Sequence, residues 1–343
     1  MARSVRKPDL RRMLHRYLLR CTALCLLLLL IVPVPAGLAQ DEPTTTPPPA
    51  ETTAEPTSAA TPTAIPTPTR PEPFQTIERD GVTLEVLFNQ IPQGRVGVLH
   101  LTGDNVAGAR LRFRNQLGEF YPVADDGFYG LVAVNIDQAP RVYEMSVLVW
   151  FEDGSEVVIP LQANVTLGGF IRQDFDLSAD RAYLADPQIE RTEFARLDSI
   201  LDDMTLERYW AESGFQPPVV AELTSPFGAF RIINETVETR HTGWDMTAPT
   251  GTPVLAVADG VVAYAGEMDI RGNHIIVDHG YGVYSGYSHM SQIHVTRGQE
   301  ITRGQVLGMT GNTGRSNGPH VHWEMTVNGE WVDSVDFILT WIP

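Results

Sequence analysis

The chain has 343 residues, enough for about two domains plus processed or flexible segments. Its formal charge is −17 and its only cysteines are Cys21 and Cys25. So acidic a chain has no general field for nucleic acid or an anionic membrane, and two cysteines confined to its start exclude a disulfide framework.

Residues 1–39 have the order of a secretory signal. Arg3, Arg6, Lys7, Arg11, Arg12, Arg16 and Arg20 form a basic start, an apolar run covers 21–34, and Gly37 and Ala39 supply the small residues that precede a cleavage site. The run is shorter than the roughly 20 apolar residues that span a bilayer, so cleavage is expected and an uncleaved anchor is the weaker reading. The expected location is outside the cytoplasm, either secreted or in the cell envelope, with no stable span after cleavage. Cleavage removes both cysteines, the only lysine (Lys7) and a net charge of +6, leaving −23. A metal site in such a chain must use histidine and carboxylate, because no thiolate remains.

Residues 40–73 are almost entirely Pro, Thr, Ala and Glu. They cannot bury enough apolar area to offset their ordering entropy and are expected to form a disordered spacer. From 74 to 168, short alternating runs at 82–88, 96–101, 109–114, 131–136, 143–151 and 157–161 are separated by turn residues. Strands of that length and spacing predict a β-sandwich of Ig-like type, and no cluster of chemically spaced groups marks it as a site. Residues 169–216 form a short helical connector. Asp186-Pro187 can open a helix, and Ile189, Phe194, Leu197, Leu201, Met204 and Leu206 follow as a packing stripe. From 217 to 343 short β runs return with a glycine in nearly every gap, predicting a compact β domain. The expected fold class is therefore mainly β throughout.

Seven of the nine histidines fall between positions 241 and 322. His241-Thr-Gly-Trp-Asp245 sets an imidazole and a carboxylate four apart, with Gly243 expected to let the backbone turn. His320-Val-His322 lies in an alternating run, and on a strand residues i and i+2 share a face. His289 completes a set of five candidate residues. Catalytic zinc sites take three N/O ligands and leave a fourth position open, which suits these donor types. His274, His279 and His294 are expected to be structural or rim groups, and Glu324 has the strand parity to orient an imidazole. The glycine-rich loop 311–318 has no lysine and opens no helix, which excludes a phosphate cradle.

Residues 225–336 resemble the M23 family of zinc metallopeptidases, the lysostaphin-like group that cuts peptide bridges in bacterial cell walls. The matching stretches are Ser225-Pro-Phe-Gly228, His241-Thr-Gly-Trp-Asp245, Gly272-Asn-His-Ile-Ile-Val-Asp-His-Gly280, Tyr287-Ser-His-Met290 and Gly311-Asn-Thr-Gly-Arg-Ser-Asn-Gly-Pro-His-Val-His-Trp-Glu324. The family's usual leucine or phenylalanine neighbours are replaced by Met290, Val321 and Trp323. The resemblance implies a barrel-sandwich hybrid with one Zn2+ per chain held by His241, Asp245 and His322, and with His289 and His320 as the catalytic imidazoles. It also implies a metalloendopeptidase acting on peptidoglycan stem peptides or cross-bridges. Two alternatives stay open: an endopeptidase for extracellular proteins, and a non-catalytic activator of a cell-wall amidase. A carrier of biotin or lipoate, whose half-barrel is similar, is excluded because its acceptor lysine is missing. The bond cut, the oligomeric state and the order of roles between His289 and His320 are not written in the residues. Nor is the role of the sandwich and connector, which could place the enzyme on the wall or shield its cleft.

Overall fold

The computed structural model describes residues 68–343. The expected signal and most of the expected spacer lie outside the described residues. No helix among the described residues is long and apolar enough to cross a membrane.

Residues 75–166 build two five-stranded sheets. One runs in the order Gln75–Arg79, Val82–Val86, Val96–Gly103, Gly127–Ala133, Tyr121–Val123; the other in the order Ile91–Pro92, Glu156–Thr166, Arg141–Phe151, Val106–Phe113, Gln116–Glu119. Glu156–Thr166 shows how the sequence sets this up. Val157, Ile159, Leu161, Ala163 and Val165 are buried and the residues between them are not, the period of two that a one-sided strand requires. The turn back to Arg141–Phe151 uses Gly154 at φ +84° and an Asp153 carboxylate that accepts the Ser155 amide at 2.9 Å. Leu84, Leu99, Leu101 and Val132 from the first sheet close one core with Leu111, Val147, Ile159 and Ala163 from the second.

The first sheet is also covered on its other face. Tyr121, Tyr129, Leu131 and Ala133 belong to the same apolar cluster as Trp210, Val283, Trp323, Val332 and Phe337. The core of the last third of the chain therefore continues into the sandwich. Two backbone-linked contacts reinforce the seam: the Asp333 amide donates to the Gly94 carbonyl at 2.8 Å, and Asn328 Nδ2 donates to the Leu131 carbonyl at 2.9 Å.

In the connector, Arg172–Phe175 pairs in parallel with Phe230–Ile233. Helix α1 is Pro187–Leu201, opened by the Asp186 carboxylate, which accepts the Gln188 amide at 2.8 Å, with proline at the first position. It is shorter than the expected stripe. Leu206 is 64% exposed, because the chain has left the helix so that its backbone can pair with the 279–281 turn. There the Tyr209 amide donates to the His279 carbonyl and the Tyr281 amide to the Thr205 carbonyl. The buried face also differs, since Glu193 is buried beside Leu197 and Leu201.

The last third is dominated by an eight-stranded sheet. It places Trp244–Thr247, His320–Val327, Val283–Met290 and Gly272–Gly280 side by side, all antiparallel. His320–Val327 is central in this sheet and buried along nearly its whole length, with Val321, Trp323, Met325 and Val327 on one face and His320, His322, Glu324 and Thr326 on the other. A three-stranded sheet of Pro253–Leu255, Val306–Met309 and Gln292–Ile293 packs on it, and helix α2, Ser334–Leu339, is capped by Asp333.

Candidate metal centre and active site

Strand register assembles the centre. Trp244–Thr247 pairs antiparallel with His320–Val327 so that Asp245 lies directly opposite His322, and Ser288, one residue before His289, lies opposite His322 on the other side. The backbone bends at Gly243 without entering the left-handed region. The glycine also permits close approach: a Cβ there would lie 2.3 Å from the Trp323 carbonyl oxygen.

Three atoms converge. His241 Nε2 lies 2.9 Å from Asp245 Oδ1, His322 Nδ1 lies 2.8 Å from the same oxygen, and the two ring nitrogens are 2.8 Å apart. The outer face of each ring explains its tautomer. His241 Nδ1 is 2.7 Å from the Pro226 carbonyl and therefore carries the hydrogen it donates there. His322 Nε2 faces Glu324 Oε1 at 3.2 Å, and that negative charge favours a hydrogen on Nε2. Each neutral ring is left with a bare lone pair turned toward a carboxylate oxygen. Three lone pairs within 3 Å of one another call for positive charge between them. A proton on one ring satisfies part of that demand, and a cation with three N/O ligands satisfies all of it, so the donor set fits a zinc-type ion.

Asp245 is held in place from behind. Arg231 Nη2 donates to Asp245 Oδ2 at 2.6 Å and to Ser225 Oγ at 2.8 Å, so the carboxylate presents Oδ1 to the centre. Burial alone would raise Asp245, but His241, His322 and Arg231 together hold it well below the usual carboxylate range. Burial pushes His241 down to about 4 against the pull of Asp245. Burial opposes charge on His322 as well, yet the bonds to Asp245 and Glu324 leave it raised.

The remaining two candidates stand beside this cluster. The rings of His289 and His320 have centroids 4.7 Å apart, and His320 Nε2 is 3.6 Å from Asp245 Oδ1. Each donates its Nδ1 hydrogen to a carbonyl of the 311–318 loop, His289 to Thr313 and His320 to Gly318, both at 2.8 Å. The loop that cannot cradle phosphate thus orients both imidazoles, leaving Nε2 of each free to take a proton. Burial depresses both, His289 well below its ordinary value with the charges of His320 and His322 adding to the effect. His289 sits at φ +62°, a left-handed conformation costing about 1 to 2 kcal/mol for a residue with a side chain. Its backbone N–H, which donates to the Arg271 carbonyl at 2.8 Å, helps hold it there. Nothing in Tyr287-Ser-His-Met290 signals that strain.

His274 and His279 are fully buried and outside the converging donor set, His274 bonding Ser288 at 3.1 Å and bordering a cavity with Glu324, and His294 is exposed. Residues absent from the sequence reading are Arg231, Arg271, Thr242 and Glu193. Arginine beside isoleucine carries no periodic signal, and each partner of these residues is remote in sequence.

Residues 239–334 match peptidase family M23. The chain carries an M23 peptidase domain. Over 125 residues it is 41% identical to the DD-carboxypeptidase/endopeptidase Mpg of Neisseria meningitidis, covering 36% of this chain and 29% of that protein. Over 95 residues it is 42% identical to the peptidoglycan DD-endopeptidase ShyA of Vibrio cholerae, covering 28% of this chain and 22% of that one. The chain thus spans less than a third of the length of these curated relatives. A crystal structure of an M23 peptidase from Pseudomonas aeruginosa superposes with a TM-score of 0.56 and 26% identity, over 74% of this chain and 97% of that one. That coverage exceeds what the M23 domain alone can supply, so the likeness extends into the sheets and connector that precede it.

Proposed function

We propose that this protein is an exported zinc metalloendopeptidase that hydrolyses peptide bonds in peptidoglycan stem peptides or cross-bridges. The observation that carries the reading is the convergence of two tautomer-fixed imidazole nitrogens and one carboxylate oxygen beside two further imidazoles, inside an M23 domain. The peptidoglycan substrate is taken from the names of the relatives. Residues 1–39 are proposed as the cleaved signal, 40–73 as the spacer, 74–168 as the Ig-like module, 169–216 as the connector and 217–343 as the peptidase part.

His241, Asp245 and His322 would hold the ion, which when bound supplies Lewis-acid polarisation of a carbonyl and acidifies water. His289 and His320 handle protons. With Nδ1–H of each tied to a backbone carbonyl, exchange is confined to Nε2, and with both rings depressed by burial they enter the reaction neutral. One takes the proton of the attacking water at Nε2 and becomes imidazolium, and that proton then goes to the leaving amine. The other ring protonates the amine or steadies the oxyanion only once its own Nε2 has received a proton. Phe194 of α1 and Arg315, which Glu190 of α1 holds at 3.0 Å, border a cavity of about 40 Å³ beside His241 and His289. This favours a connector that shields the cleft.

Two measurements test the proposal. Purified cell walls and an unstructured protein are digested side by side, and products from defined wall peptides are weighed with and without a zinc chelator. Cut walls and chelator-sensitive products are expected; intact walls beside a cut protein transfer the activity to extracellular proteins. His320→Ala is expected to abolish turnover with about one zinc per chain still bound, and undiminished cleavage would remove His320 from the mechanism.

A further inference from the structure

The stripe of α1 contains an acidic residue where packing calls for an apolar one. Glu193 is 4% exposed, and its carboxylate is fully engaged. Oε2 accepts the Ile270 amide at 2.6 Å, and Oε1 accepts the Arg271 amide at 3.2 Å and Arg271 Nη1 at 3.0 Å. Arg271, also 4% exposed, turns its other edge to Glu324 as a fork, with Nε to Oε2 at 2.9 Å and Nη2 to Oε1 at 2.6 Å. Glu324 Oε1 accepts from the Thr242 hydroxyl and faces His322 Nε2 at 3.2 Å. A buried line of charge therefore runs from the connector helix to the outer nitrogen of a ring whose inner nitrogen meets Asp245.

The stoichiometry of this line matters. Two carboxylates share one guanidinium in an interior where an unpaired charge costs several kcal/mol. With Glu193 taking part of the charge of Arg271, Glu324 keeps enough negative character to hold the His322 hydrogen strongly, which turns the ring and strengthens Nδ1 as a donor. If Glu193 served only to dock the helix, an apolar residue would do so at lower cost, as Leu197 and Leu201 do on the same face.

We propose that Glu193 is a positioning residue of the metal centre: acting through Arg271 and Glu324, it orients His322 and strengthens its grip on the ion, so that α1 is a working part of the site. The inference rests on the reading above that His322 is a ligand.

The test uses the full chain stripped of metal, with zinc affinity read by competition against a chromophoric chelator and apo Tm read in parallel. Glu193→Gln, which keeps shape and removes charge, is expected to lower zinc affinity on the order of tenfold. Glu324→Gln should lower it at least as much, and the double variant should be no worse than Glu324→Gln alone, because both act along one line. Leu197→Ala loosens the helix without touching a charge; it should lower Tm and leave zinc affinity unchanged. Wild-type affinity in Glu193→Gln overturns the proposal, as does full additivity of the two glutamine variants or an equal loss in Leu197→Ala. If the unaltered chain takes up no zinc, or His322→Ala binds it equally well, the metal-centre reading itself falls.

Discussion

His241 and His322 offer bare nitrogens to Asp245 because their opposite nitrogens are already committed, one to the Pro226 carbonyl and one to Glu324. Asp245 depends in the same way on Arg231, whose removal as Arg231→Met would leave Oδ2 with an uncompensated buried charge. Zinc affinity is expected to fall about 10- to 100-fold, the usual cost of losing a group that orients a ligand, and chelator competition reads it directly. A second residue sets pH behaviour. His279 is buried, its Nδ1 directed at the Asp259 carbonyl at 2.7 Å, and burial holds it down to about 4 from an ordinary 6.5. Between those values the unfolded chain binds the proton and the folded chain does not. Its contribution is therefore complete above pH 6.5 and lost as pH falls toward 4, by about 3 kcal/mol in all. His279→Asn should flatten the dependence of the urea midpoint on pH across that window. A slope equal to that of the unaltered chain would assign the effect to other groups.

At the scale of elements, the centre exists because one strand lies against another at short range. Asp245 reaches His322 through the pairing of Trp244–Thr247 with His320–Val327, and Gly243 leaves room for it. Gly243→Ala would drive a methyl into the Trp323 carbonyl, so the strands must part and the ligand atoms separate. The expected result is a lower apo Tm together with at least tenfold weaker zinc binding, on the order set by other losses of ligand orientation. Normal affinity would mean that the strand can shift without opening the site. Strand parity had already put His320 and His322 on one face, since that period is local. The end of α1 at Leu201 was not legible. The apolar spacing runs on to Leu206, and what stops the helix is backbone pairing with a turn some 70 residues away.

On the scale of the whole molecule, composition divides the chain into parts that the fold then fuses. Tyr121, Tyr129 and Leu131 of the sandwich lie in the core around Trp323 and Phe337, and each buried side chain of that size is worth about 1.5 to 3 kcal/mol. Residues 217–343 expressed alone would expose that surface and would also lose Glu193 from behind Arg271. Such a fragment is expected to melt at least 10 °C below the full chain, since several kcal/mol are at stake, or to aggregate. Thermal melts of the two side by side decide this, and equal melting points would show that the shared core is dispensable.

The residues alone were enough for the mainly β class, the alternation of Glu156–Thr166, the common face of His320 and His322, and the M23 likeness of the last third. All of these are written in short spacings that backbone geometry repeats every two residues or in contiguous motifs. The tertiary structure decided which nitrogen of each histidine is bare, why His289 accepts a left-handed backbone, and how Arg231, Arg271 and Glu193 enter the site. Those outcomes depend on charges and carbonyls brought together from distant segments. Complementarity of that kind has no period along the chain, so it becomes visible only when the strands are in register.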